Sequence, residues 1–222
     1  MKTHSPRRFK NRQDAGRQLA RSMADFASIP GVIVLAFPNG GIPVAVEIAR
    51  ALGKPLDILL MREITHPDDH EIVLGTITSG GVRALNCALI DQLHLSDSQV
   101  AEAILYECQE LARCEQLYRH DHPSLSVADK TVILVDDGVT PCGTFRNAIH
   151  LLRRQHADRI VVALPAASGH DTCDLRLEAD EVVALAESET CGSPEKFFRK
   201  FGPTTDEKAC RLLAREWSAV AV

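Results

Sequence analysis

A chain of 222 residues with 45% hydrophobic and 25% charged side chains has ordinary globular composition, and it is long enough for one core with an appended piece. Its formal charge of −5 offers no basic stripe for a phosphate backbone, so no nucleic acid partner is expected, whereas a small anion needs only a local site. The seven cysteines are scattered without a C-x-x-C pair, and no 18 apolar residues follow one another. That pattern points to reduced thiols in a cytoplasm and away from secretion or a membrane.

The basic stretch of residues 1–8 is followed by no apolar run of signal length. Val32–Phe37 is the first short apolar run, and Asp57–Met61, Thr131–Val135, Ile160–Pro165 and Glu181–Ala186 repeat its character. All five are rich in Val, Ile and Leu with little polar alternation, as strands covered on both faces are. Between them Val44, Ile48 and Leu52, and later Phe145, Ile149 and Leu152, recur at helical spacing. Strand and helix alternate, which predicts an α/β fold with a doubly wound parallel sheet of about five strands.

Leu74–Leu85 departs from that alternation, because Ser79-Gly80-Gly81 separates two extended runs as an edge hairpin would. The spacing of Val100, Ile104, Cys108 and Leu111 predicts a long helix over 99–118, introduced by the capping box Ser96-Asp97-Ser98-Gln99. From about Thr205 to Trp217 a last helix is expected as a small C-terminal cap over the sheet's carboxyl edge. With no internal repeat or low-complexity linker, residues 1–222 read as a single domain.

Two turns carry chemistry. Val132-Ile133-Leu134-Val135-Asp136-Asp137-Gly138-Val139-Thr140-Pro141-Cys142-Gly143-Thr144 is an apolar strand ending in two acids, then a small-residue turn that enters a helix. Such a turn aims backbone N–H groups and a helix N-terminus at one point, where an anion is stabilised, and the acids stand beside it for sugar hydroxyls. Asp-Gly is also a hairpin signal, but a hairpin would lead to a strand and not to the helical stripe seen here. Phe37-Pro38-Asn39-Gly40-Gly41-Ile42-Pro43 likewise joins a buried strand to a helix, and its paired glycines permit close backbone approach. It is not the G-x-G-x-x-G pattern, and a plain tight connection explains it nearly as well.

Asp136-Asp137 through Thr144 resembles the signature of type I phosphoribosyltransferases, and Pro38–Gly41 resembles their pyrophosphate loop. The likeness runs through Phe9–Ala20, Pro38–Leu52, Arg62–Gly75, the long helix, Val132–Thr144 and Phe201–Glu207, in the order of a bacterial group of predicted phosphoribosyltransferases. It implies transfer of phosphoribosyl from phosphoribosyl pyrophosphate to a nitrogenous acceptor, with Mg2+ bound mainly through the substrate and release of pyrophosphate. Asp136 and Asp137 would hold the ribose hydroxyls, and Thr140, Pro141, Cys142, Gly143 and Thr144 the 5′-phosphate. Asn39, Gly40 and Gly41 would hold the pyrophosphate. Arg62 would open a mobile loop whose closure excludes water.

Departures from the family cluster in this site. Asn39 stands where relatives usually have Arg, Glu63 where they usually have Lys, and Pro141-Cys142 where they have Thr-Gly. Two cationic contacts and one N–H donor are thereby lost. An alternative reading follows, a non-catalytic or regulatory protein that binds ribose phosphate or a nucleotide in a degenerate site. His66-Pro67-Asp68-Asp69-His70-Glu71 gathers metal-ligand types, although solvated loop charge is the commoner reading, and His120-Asp121-His122 reads as a polar connector. Cys142 at a helix start is a candidate nucleophile only if a base stands beside it, and none is identifiable. The acceptor and the oligomeric state, a homodimer included, stay open.

Overall fold

The computed structural model describes residues 9–120, 122–138, 140–188 and 194–220; the basic residues 1–8, Asp121, Val139 and Cys191 lie outside them. The first helix, α1 (Arg12–Ser22), starts at an Asn11 side chain that accepts the Asp14 N–H, a cap that meets one of the helix's orphan donors. Five strands then build one wholly parallel sheet: β1 (Val32–Ala36), β2 (Leu56–Ile58), β6 (Thr131–Val135), β7 (Arg159–Ser168) and β8 (Glu181–Ser188), in the order β2-β1-β6-β7-β8. All five expected strands are present. β6 is central, flanked by β1 and β7.

The lack of polar alternation has the cause that the sequence suggested. Val34, Ala36, Ile133 and Val135 face one apolar layer with α2 (Ile42–Leu52), while Ile33, Leu35, Val132 and Leu134 face another with α5 (Cys142–Arg154). Each layer buries side chains that contribute about 1.5–3 kcal/mol apiece. Phe145, Ile149 and Leu152 are the α5 stripe, and Leu175 of α6 (Gly169–Glu178) joins them. α6 was not anticipated, because its sequence GHDTCDLRLE has only a faint apolar face.

Residues 61–85 leave the parallel sheet altogether. β3 (Met61–His66), β4 (Asp69–Thr78) and β5 (Arg83–Leu85) form a separate antiparallel sheet, so the hairpin at Ser79–Gly81 is present but belongs to a three-stranded layer. The stretch expected as a loop after Arg62 is itself strand. Buried Ile64, Leu74 and Ile77 hold it against the core, while the other residues of β3 are only partly covered. After the short α3 (Cys87–Gln92), the long helix α4 (Asp97–Tyr118) begins with the predicted Ser96/Gln99 capping box. Its C-terminal end is anchored to the sheet by Arg119, whose Nη1 donates to buried Asp57 of β2 at 2.5 Å.

α7 (Asp206–Val220) packs on α2, and Trp217 Nε1 donates to Leu56 O at 2.9 Å. The cover over the sheet's carboxyl edge comes from elsewhere as well. Phe9 N donates to Phe197 O and Arg199 N to Phe9 O, so residue 9 pairs with the segment 197–199 that precedes α7. Phe9, Phe197 and Phe198 bury against Ala166 of β7.

Candidate active site

β6 ends at Val135, and the next two residues are Asp136 and Asp137, both only 2% exposed, at the carboxyl edge of the central strand. Ligands of open α/β sheets bind at that edge. The chain then turns through Gly138, whose φ is +97°, and enters α5 at Cys142 with Pro141 as N-cap. A helix follows the acids, so the hairpin reading of Asp-Gly is discarded.

The two carboxylates have different neighbours. Asp136 Oδ2 accepts the N–H groups of Gly138 at 2.9 Å and Thr140 at 3.1 Å. Burial, and then the charge of Asp137, nevertheless raise the Asp136 carboxyl to about 7; those two hydrogen bonds oppose the shift. Asp137 Oδ2 accepts from Arg12 Nε at 2.7 Å, with the Arg12 and Asp137 side chains 12% and 3% exposed. One acid is gathered into its own loop and the other faces a cation, and the two side chains also meet each other.

The loop at 38–41 touches this pair. A Cβ on Gly40 would lie 2.2 Å from Asp137 Oδ2, and one on Gly41 would lie 2.7 Å from both Phe37 O and Val135 O. Both positions require glycine, because any side chain there would displace the carboxylate or the end of a strand. The two expected loops therefore share a wall. Asn39 adopts a left-handed φ of +61°, which asparagine tolerates, and its Oδ1 lies 2.9 Å from the Tyr118 hydroxyl. That hydroxyl also lies 2.6 Å from Asp206 Oδ1. Burial first, then the Asp206 carboxylate, push the Tyr118 phenol well up, so it stays a proton donor. Asn39 is thus tied to α4 and α7 where a cation was expected to meet pyrophosphate.

Arg62 and Glu63 diverge as neighbours on a strand must. Arg62 Nε donates to Glu107 of α4 at 2.5 Å, and Glu107 is buried. Glu63 turns to the phosphate loop, where its Oε1 accepts from Thr144 Oγ1 at 3.2 Å. A carboxylate thus stands at the first turn of α5, the end of a helix that attracts anions. Pro141 supplies no N–H there, and the Gly138 and Thr140 N–H groups are engaged by Asp136.

Cys142 has no base. Burial and then the nearby Asp171 raise its thiol, opposite to what a nucleophile needs. Among the described residues no three His, Cys, Asp or Glu side chains are grouped for a metal; His66 Nδ1 accepts the Asp68 N–H and His70 contacts Thr65. His122 stacks on Trp217 at 3.9 Å, a packing role. Arg12, Tyr118, Asp206 and Glu107 were not singled out from sequence. Only Arg12 had a local signal, the Asn11-x-x-Asp14 cap that places it in a first helical turn; its partner lies 125 residues away.

The comparisons with known proteins give the family. The family model described as a phosphoribosyl transferase domain matches residues 8–188. The chain belongs to that family. A Mycobacterium tuberculosis protein provisionally named a phosphoribosyl transferase, present in strains CDC 1551 and H37Rv, is 32% identical over 207 residues, 93% of this chain. Those residues are 46% of the relative, so the chain spans about half the length of the curated proteins it matches. The crystal structure of TT1426 from Thermus thermophilus is 31% identical with a TM-score of 0.82, covering 94% of this chain and 98% of that one. Among the described residues no helix is long and apolar enough to cross a membrane.

Proposed function

We propose that this phosphoribosyl transferase family member binds phosphoribosyl pyrophosphate at the carboxyl edge of β6 and transfers phosphoribosyl to a nitrogenous acceptor in the cytoplasm. The observation that carries this reading is the contact of Gly40 with Asp137. It brings a glycine backbone suited to pyrophosphate and two acids suited to the ribose hydroxyls into one wall. All of 1–222 is read as one domain, because the paired segments at Phe9 and Phe197–Arg199 and α7 both pack onto the sheet's own elements.

In the proposed reaction the acceptor nitrogen donates its lone pair to the anomeric carbon while the carbon–oxygen bond to pyrophosphate breaks, and the electron pair leaves with pyrophosphate. Positive charge develops on the sugar. Asp136 and Asp137 orient the hydroxyls and place negative charge beside it, where a low-dielectric, pre-set environment has its largest effect. The N-terminus of α5 receives the 5′-phosphate. Mg2+ carried by the ligand would neutralise charge on the pyrophosphate.

A second reading, binding without turnover, is favoured by the Glu63 carboxylate on Thr144 and by Pro141 at the helix entrance. One set of measurements separates the two. Pyrophosphate release from phosphoribosyl pyrophosphate with Mg2+ and a panel of bases, absent in Asp136→Asn with Asp137→Asn, supports catalysis. No release, but a melting temperature raised by millimolar ribose 5-phosphate and not in Gly40→Ala, supports binding alone. Neither effect would remove both readings.

A further inference from the structure

Arg12 lies outside both loops, yet it joins the acids to two other parts of the chain. Its Nε donates to Asp137 Oδ2 at 2.7 Å, its Nη1 donates to Gly202 O at 2.6 Å, and its guanidinium lies 3.9 Å from the centre of the Phe201 ring. The planar fork is thus held at three points, from the end of β6, from the cap segment's backbone and from an aromatic face. Its backbone is fixed by the Asn11 cap, and the preceding Phe9 is paired through both its N–H and its carbonyl with residues 197 and 199.

We propose that Arg12 is a positioning residue of the site: its guanidinium balances the charge of the Asp137 carboxylate and orients it for the ribose hydroxyls, and it latches residues 201–202 over the sheet edge. The proposal rests on the reading of Asp136 and Asp137 as a ribose site.

The groups around the pair come from several elements. α1 brings Arg12; β6 is followed by the two acids themselves; β3 brings Glu63, which reaches the far side of the loop at Thr144. The 37–41 loop brings Asn39 and two glycines, without charge, and the cap brings Phe201 and Gly202. Arg12 sets its full positive charge directly on Asp137, so a neutral side chain at position 12 shifts the balance of two adjacent buried acids toward sharing a proton. Lysine can supply the charge, but a point ammonium cannot also reach Gly202 O and cover Phe201.

The test uses the full chain and three proteins, the parent, Arg12→Lys and Arg12→Met. Calorimetric affinity for ribose 5-phosphate is measured from about pH 6 to about pH 9, and each variant is divided by the parent at the same pH so that the ligand's own ionisation cancels. Arg12→Met is expected to bind about tenfold or more weakly at about pH 6.5, recovering to within about threefold at about pH 9, because base restores the lost carboxylate charge. Arg12→Lys is expected to show a ratio that does not vary with pH. A pH-independent loss in Arg12→Met, as mere loosening of the cap would give, overturns the proposal. If the parent does not bind the probe, the ribose-site reading fails by itself, and carbon-13 NMR of aspartate-labelled protein still decides about Arg12. The titration of the Asp136/Asp137 pair, assigned with Asp137→Asn, moves up by about one unit in Arg12→Met and not in Arg12→Lys. An unmoved titration overturns the proposal, and if Arg12→Met does not fold, a shifted titration in Arg12→Lys does so too.

Discussion

In the five-stranded sheet every residue of β1 and β6 is buried, whereas β3 buries only Ile64 and sends Arg62 toward α4 and Glu63 toward α5. One region is an apolar slab whose strands are specified by what covers them. The other is a ribbon whose polar side chains tie two helices beside the acids. The contrast teaches where each kind of change acts: substitutions in the slab are expected to cost stability, and substitutions in the ribbon to alter ligand binding while the fold persists.

The largest effect should come from a deep polar anchor of the slab. Asp57 is 1% exposed, accepts from Arg119 Nη1 at 2.5 Å and from Leu125 N at 2.8 Å, and ties the end of α4 to β2. Asp57→Ala leaves a buried guanidinium without its counter-charge, and a loss of about 3–5 kcal/mol is expected from urea unfolding. A loss below about 1 kcal/mol would show that water reaches Arg119 and that the slab is less closed than its burial implies.

The ribbon should behave in the opposite way. Glu63→Gln removes a negative charge from the first turn of α5 while keeping a hydrogen-bonding group for Thr144. Ribose 5-phosphate is expected to bind about threefold to tenfold more tightly, with urea stability changed by less than about 0.5 kcal/mol. Unchanged affinity would mean that the phosphate does not sit at that helix end. Replacing Asn39 is a poorer probe, because it also breaks the tie between Tyr118 and the loop.

The last effect is a slope. Burial, with the Asp137 charge second, raises the Asp136 carboxyl to about 7, against roughly 3.9 in an unfolded chain. Between these values the native state binds the additional proton, so this group's contribution to stability is complete below the unfolded value and is lost as pH rises through the folded one. Asp136→Asn should therefore show a shallower fall in melting temperature from about pH 5 to about pH 8 than the parent. Parallel slopes would place the raised proton on another group.

Most of the slab was legible in the linear chain. Runs such as Thr131–Val135 announce a strand covered on both faces, and Ser96-x-x-Gln99 announces a helix start, because burial on a fixed period and local capping are written in neighbouring residues. The ribbon was not. Residues 62–71 read as a loop because their charges and histidines hide one buried position, Ile64, whose partner surface comes from elsewhere in the chain.

The sequence by itself determined the α/β alternation, the five strands, the long helix and the acid pair at a strand's end, all of which depend on contacts within a few residues or on solvent exclusion alone. Only the tertiary structure decided which groups face those acids. Arg12 meets Asp137 across 125 residues, Tyr118 meets Asn39 across 79, and Glu63 meets Thr144 across 81. No periodicity encodes such meetings, since hydrogen bonds and ion pairs act over a few ångströms of space and carry no trace of distance along the chain. The fold is what brings Arg12 and residues 201–202 together beside the end of β6.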